Sequence, residues 1–97
     1  MRLEFHPDTA KDVQEAVRYF ENQRPGLADE FQLEVSEALD RICASPSRFP
    51  KIEANIRRCP VHRFPYSILY RIVAGKRIRI LVIRHHRRHP KYGLTRI

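Results

Sequence analysis

Arg84, His85, His86, Arg87, Arg88, His89, Pro90, Lys91 and Tyr92 run consecutively, and each one except the proline can carry charge or move a proton. Such a set suits phosphodiester chemistry without a metal. His, Tyr or Lys can relay protons to and from a ribose 2′-hydroxyl and a leaving 5′-oxygen, while arginine neutralises the charge that develops on phosphate. The same run equally suits a non-catalytic basic tail that contacts phosphates or an acidic partner, because spacing alone positions no base. No metal site is expected at His85, His86 and His89. Adjacent histidines on a strand point apart, no Cys, Asp or Glu completes a ligand set, and the arginines repel a cation. Gly26, Gly75 and Gly93 are too scattered for a phosphate loop, and no nucleophilic triad is recognisable.

The elements that would position this run follow from periodicity. Arg2 to His6 alternates polar and apolar, which predicts a short strand with Leu3 and Phe5 inward. From Ala10 the period becomes helical through Val13, Val17 and Phe20, and Thr9 with Asp12 has the spacing of a capping box. Pro25 and Gly26 break that helix. A second helix buries Leu27, Phe31, Val35, Ala38, Leu39 and Ile42 and turns Asp29, Glu30, Glu34, Glu37 and Asp40 outward. That acidic outer face would be repelled by a DNA major groove, so a helix-turn-helix is disfavoured.

Residues 45 to 54 are predicted as a loop, and residues 56 to 64 as a strand interrupted or edged at Pro60. Tyr66 to Val73 is a firmer strand, with Tyr66, Ile68, Tyr70 and Ile72 on one face as core residues. Ala74 and Gly75 make a turn into a last strand, Arg77 to Arg84. Strict alternation there sends Ile78, Ile80 and Val82 to one face and Arg77, Arg79, Leu81 and Ile83 to the other. The expected fold is α+β in the order β-α-α-β-β-β, with the helical hairpin on one face of a mostly antiparallel sheet. Arg77 and Arg79, joined by Arg57, Arg58 and Arg63 from the neighbouring strand, would then make the opposite face open and basic.

The 97 residues, 42% hydrophobic and 31% charged, predict a single soluble domain over residues 1–97. A net charge of +8 divides unevenly. Residues 1 to 50 hold six basic and ten acidic groups, a net of −4; residues 51 to 97 hold thirteen basic groups and only Glu53, a net of +12. This asymmetry predicts one surface that meets a polyanion or an acidic partner. Cys43 and Cys59 form no Cys-x-x-Cys pair, and Cys43 reads as a small core residue. No bilayer-length apolar stretch and no apolar N-terminal region appear, so a cytoplasmic protein without a membrane partner is expected.

Phe64-Pro65-Tyr66-Ser67-Ile68-Leu69-Tyr70-Arg71-Ile72, the strand Ile78 to Ile83, and His85-x-Arg87-Arg88-x-Pro90 together resemble the RelE/ParE toxin superfamily. The opening Phe5-His6-Pro7, the helical pair and the Pro46 to Pro50 loop also fit its layout. The resemblance is nearest to the ParE-like, plasmid-stabilisation branch. It implies a growth-inhibiting toxin of a type II toxin-antitoxin module, silenced by a cognate antitoxin protein whose extended, helical segment wraps the toxin. No cofactor is implied. ParE-like members poison DNA gyrase, and that is the main expectation. RelE-like members instead cleave mRNA on the ribosome without a metal; here Arg79, Arg84, His85 and Tyr92 would be the catalytic candidates. Several of those nucleases carry Arg where Ser67 stands, and their lysine-rich strand is here Arg57, Arg58 and Arg63. The expected target- or antitoxin-binding set is Arg57, Arg58, Arg63, Arg77, Arg79, Arg84, His85, Arg87 and Arg88. A basic interaction module without toxicity is the third alternative.

Overall fold

The computed structural model describes residues 2–97. Its elements in chain order are β1 (Arg2–Phe5), α1 (Thr9–Gln23), α2 (Leu27–Ala44), β2 (Lys51–Glu53), β3 (Ile56–Pro60), β4 (Tyr66–Val73) and β5 (Arg77–His85). One sheet has the order β1-β5-β4-β3-β2; β1 runs parallel to β5 and the other pairs are antiparallel. The α+β architecture matches the sequence expectation, with one addition. Lys51–Glu53, read as loop, pairs with β3 as a short edge strand. Its three exposed residues give no inward pattern to read.

Both helices cover one face of the sheet. There Phe20 and Phe31 lie with ring centroids 5.0 Å apart, Phe20 and Phe64 4.9 Å, and Phe31 and Tyr66 4.9 Å, alongside Ile68, Tyr70, Ile78 and Ile80. The stripe expected on α2 is observed, with Phe31, Val35, Ala38 and Ile42 buried. The α1 stripe is turned from its expected position: Thr9, Asp12, Ala16 and Phe20 are buried, whereas Val13 and Val17 are half-buried. The capping box is also absent. Asp8 is the N-cap, Thr9 Oγ1 donates to the His6 carbonyl at 2.7 Å, and Asp12 is committed elsewhere. Gly26 enters α2 at φ +87°, and Glu21 of α1 accepts the Gly26 N–H at 3.2 Å, supplying the N-terminal acceptor that glycine lacks. Phe5 shares the helix-side face but remains 46% exposed, because β1 is an edge. Cys43 is half-buried, and Cys59 is the cysteine in the core.

A bulge corrects the reading of β5. Leu69 pairs with Val82 and Tyr70 with Ile80, so Leu81 is an extra residue on β5. One inserted residue reverses the alternation beyond it. Val82 therefore leaves the helix side and Ile83 joins it. The displaced residues build a second small core on the far face, where Leu69, Leu81, Val82 and Ile56 are covered by Tyr92 and Leu94 of the segment after β5. The open basic face expected there is thus closed at one end by the chain itself. Gly93 makes this approach possible: at φ +81°, a Cβ would lie 2.7 Å from Val82 Cβ.

Candidate functional site

The expected binding residues divide by the face on which the register places them. Arg57 stands across from Tyr70 on the helix side, and its guanidinium donates to the carbonyls of Ser47 at 3.1 Å and Phe49 at 2.7 Å. Arg63, at φ +69° in the turn before β4, bridges to Glu30 at 2.7 Å and Glu34 at 3.6 Å of α2. Both are tied to the chain's own groups. Arg58 lies on the far face and donates from Nε to Ser67 Oγ at 3.1 Å, while Arg77 pairs with Glu4 at 3.1 Å.

Arg84 follows the bulge, so its side chain emerges on the far face opposite Ser67. Its Nη1 donates to the carbonyls of Pro90 and Tyr92, each at 2.8 Å. Burial and the nearby Arg58 lower the pKa of this guanidinium, and the two carbonyls occupy it. Arg84 thereby folds the tail over the second core.

His85 goes to the opposite face, where its ring meets Tyr66 edge-on with centroids 5.2 Å apart. Burial first, then Arg87, His86 and Arg88, lowers its pKa below the ordinary 6.5, which keeps the imidazole neutral at pH 7. Its Nδ1 accepts the Arg87 N–H at 2.9 Å, leaving Nε2 to carry the proton. His89 repeats the arrangement by accepting the Lys91 N–H at 3.0 Å. His86 instead meets Ser67 Oγ through Nε2 at 2.9 Å. The histidine run is therefore split between two faces and used in turns.

A cleft of about 450 Å³ opens between α1 and the end of β5. Its walls include Tyr19, Tyr66, His85 and Tyr92, with Arg87 and Arg88 at the rim. Arg88 bridges to Glu15 at 3.3 Å and lies 4.4 Å above the Tyr92 ring. Of the four nuclease candidates, the cleft gathers Arg84, His85 and Tyr92 but not Arg79. Arg79 instead donates to the main-chain oxygens of Ile97 at 3.0 Å and Phe5 at 3.2 Å. What remains is an aromatic-walled cleft with a neutral imidazole and two guanidinium groups. It is suited to holding an apolar or aromatic segment beside an anionic group.

Sequence reading missed four residues of this region. Asp12 is buried and accepts the Ile83 N–H at 3.1 Å, just beyond the end of β1. Arg96 binds the same carboxylate. Tyr19 walls the cleft, and Arg71 stands on the far face opposite Arg79. The i, i+4, i+8 spacing of Asp12, Ala16 and Phe20 carried the signal for Asp12.

A family profile described as "ParE toxin of type II toxin-antitoxin system, parDE" matches residues 3–90. Among solved structures, one described as "Chromosomal ParDE TA system from P. aeruginosa" contains a similar chain. The two are 22% identical with a TM-score of 0.76, covering 88% of this chain and 95% of that one, a likeness of fold. No curated protein sequence matches.

Proposed function

The chain belongs to the ParE toxin family of type II toxin-antitoxin systems, and we propose that it acts by binding and poisoning DNA gyrase and is neutralised by a cognate antitoxin protein. The family match across residues 3–90 carries this reading. Its basic half supports it, because positive potential steers a toxin toward acidic partners and DNA-bound machinery. Of the expected binding set, Arg84, His85, Arg87 and Arg88 line the cleft. Arg57, Arg63 and Arg84 are held by internal partners and serve mainly to shape the surface. Ribosome-dependent mRNA cleavage receives less support, since Arg79 lies apart from His85 and Tyr92, and the buried Ser67 occupies the position where several nucleases place Arg.

Induction in cells, with and without the neighbouring reading frame, tests the proposal. Growth arrest with gyrase-linked DNA breaks, relieved by the partner gene, is expected. Arrest with intact DNA and newly cut mRNA, or unimpaired growth, would overturn it. The described residues contain no helix long and apolar enough to cross a membrane.

A further inference from the structure

Arg88 and Glu15 join the segment after β5 to α1 at the open side of the cleft, with Nη2 3.3 Å from the carboxylate. Each side chain is 46% exposed, and a pair so open to water holds weakly, because screening and side-chain ordering offset the attraction. The guanidinium does not rely on the acid for its place. It also lies 4.4 Å above the Tyr92 ring, a contact that persists when the acid leaves. Arg87 stands exposed at the same rim and is in no ion pair among the described residues.

Beneath the pair the cleft turns apolar. Ala16 and Ile83 line it as buried residues, and Tyr19 and Tyr66 add aromatic walls. Burial raises the Tyr66 hydroxyl pKa, and Arg88, Tyr19 and Glu15 all lie near enough to act on it, so these four side chains converge. Tyr19 is 58% exposed, which leaves aromatic surface for a partner to cover. A cleft of about 450 Å³ has the capacity of a small-ligand site, so it admits a side chain or two from an extended segment rather than a folded surface. A nucleic acid strand fits less well. Only Arg87 and Arg88 offer charge at the rim, and α1 presents Glu15 to an approaching phosphate. An apolar floor beneath a guanidinium rim matches instead an aromatic side chain beside a carboxylate. We propose that Glu15 holds Arg88 in the free protein as a stand-in for a partner's carboxylate. An acidic segment of the antitoxin displaces it and seats a neighbouring aromatic side chain against Tyr19 and Tyr66. The source of the segment rests on the antitoxin reading, whereas the exchange of carboxylates rests on the cleft alone.

The test titrates the purified full chain with the blocked peptide acetyl-Gly-Phe-Glu-Gly-amide and follows the His85 ring and Arg88 Nε–Hε resonances by nuclear magnetic resonance. Both shift on binding, and replacing the peptide's Phe by Ala or its Glu by Gln weakens it about fivefold or more. Glu15→Gln tightens the original peptide about threefold, within what an exposed ion pair allows, but leaves the Gln peptide unchanged. Glu37→Gln removes an equal charge from the exposed face of α2 and changes neither. Unmoved resonances, no gain from Glu15→Gln, an equal gain from Glu37→Gln, or a single-stranded RNA that binds here more tightly than the peptide would each overturn the exchange. The product of the neighbouring reading frame should shift the same two resonances. If it relieves growth arrest yet leaves them unmoved, the cleft is not its site; if it relieves no arrest, the antitoxin reading fails whatever the peptide does.

Discussion

Arg96 and Asp12, 84 positions apart, meet in a two-pronged ion pair. Nη1 donates to Oδ2 at 2.7 Å and Nη2 to Oδ1 at 3.1 Å, and the carboxylate side chain is only 4% exposed. Asp12 holds the sheet amide of Ile83 through the same Oδ2, so one carboxylate fastens α1, β5 and the tail together.

Removing one partner of such a pair leaves a buried charge without compensation. Asp12→Asn is expected to cost about 3 kcal/mol of folding stability, read from urea unfolding. A loss within the range of exposed pairs, below about 1 kcal/mol, would show that water screens the contact.

Gly93→Ala combines a left-handed φ with a Cβ placed against Val82. We expect a loss of about 1–3 kcal/mol. On a Val82→Gly background, which removes the Cβ that the new methyl would meet, the loss caused by Gly93→Ala should shrink to the backbone share. An equal loss on either background would assign the whole effect to φ.

Arg84→Ala frees the carbonyls of Pro90 and Tyr92. Amide hydrogen exchange in residues 92 to 94 should quicken at least several-fold while that in α2 stays unchanged. Uniform protection across both regions would place Arg84 outside the tail's support.

Acid should weaken the fold through His85. Its folded pKa is below 6.5, so the unfolded chain takes up the proton first. This share of stability is present above about pH 6.5 and declines as pH falls toward the folded pKa. His85→Gln removes that part of the decline. A His85 titration midpoint at or above 6.5 would refute the assignment.

Alkali acts through Tyr70, whose hydroxyl donates to the Pro46 carbonyl at 2.6 Å and whose pKa burial pushes up to about 12. The unfolded chain loses this proton near its ordinary value of 10, so stability should fall from about pH 10 toward pH 12. Tyr70→Phe should cost about 1 kcal/mol at neutral pH and flatten that decline. An unchanged alkaline profile would exclude Tyr70 as its source.

Much of the fold was legible because apolar spacing reports burial directly. The α2 stripe and the Tyr66, Ile68, Tyr70, Ile72 face appear where periodicity puts them. The β5 faces did not, since an inserted Leu81 reverses alternation without changing composition. Asp12 stands at helical spacing with Ala16 and Phe20, but a carboxylate does not read as a core residue until its partner Arg96, 84 positions on, is in place. The site was visible as a set of residue types and hidden as geometry. His85 and Arg84 are neighbours in sequence but emerge on opposite faces, and only the sheet register says which is which.

The sheet order has a consequence for the timing of synthesis. β5 joins β1 to the antiparallel strands, yet it is the last strand in the chain. Until it emerges, β1 has no pairing partner and α1 lacks the strand it packs on. Contacts of such long sequence separation form late and slowly. The growing polypeptide therefore carries an uncovered apolar hairpin until β5 has been made, and gains the surface that β5 builds only then.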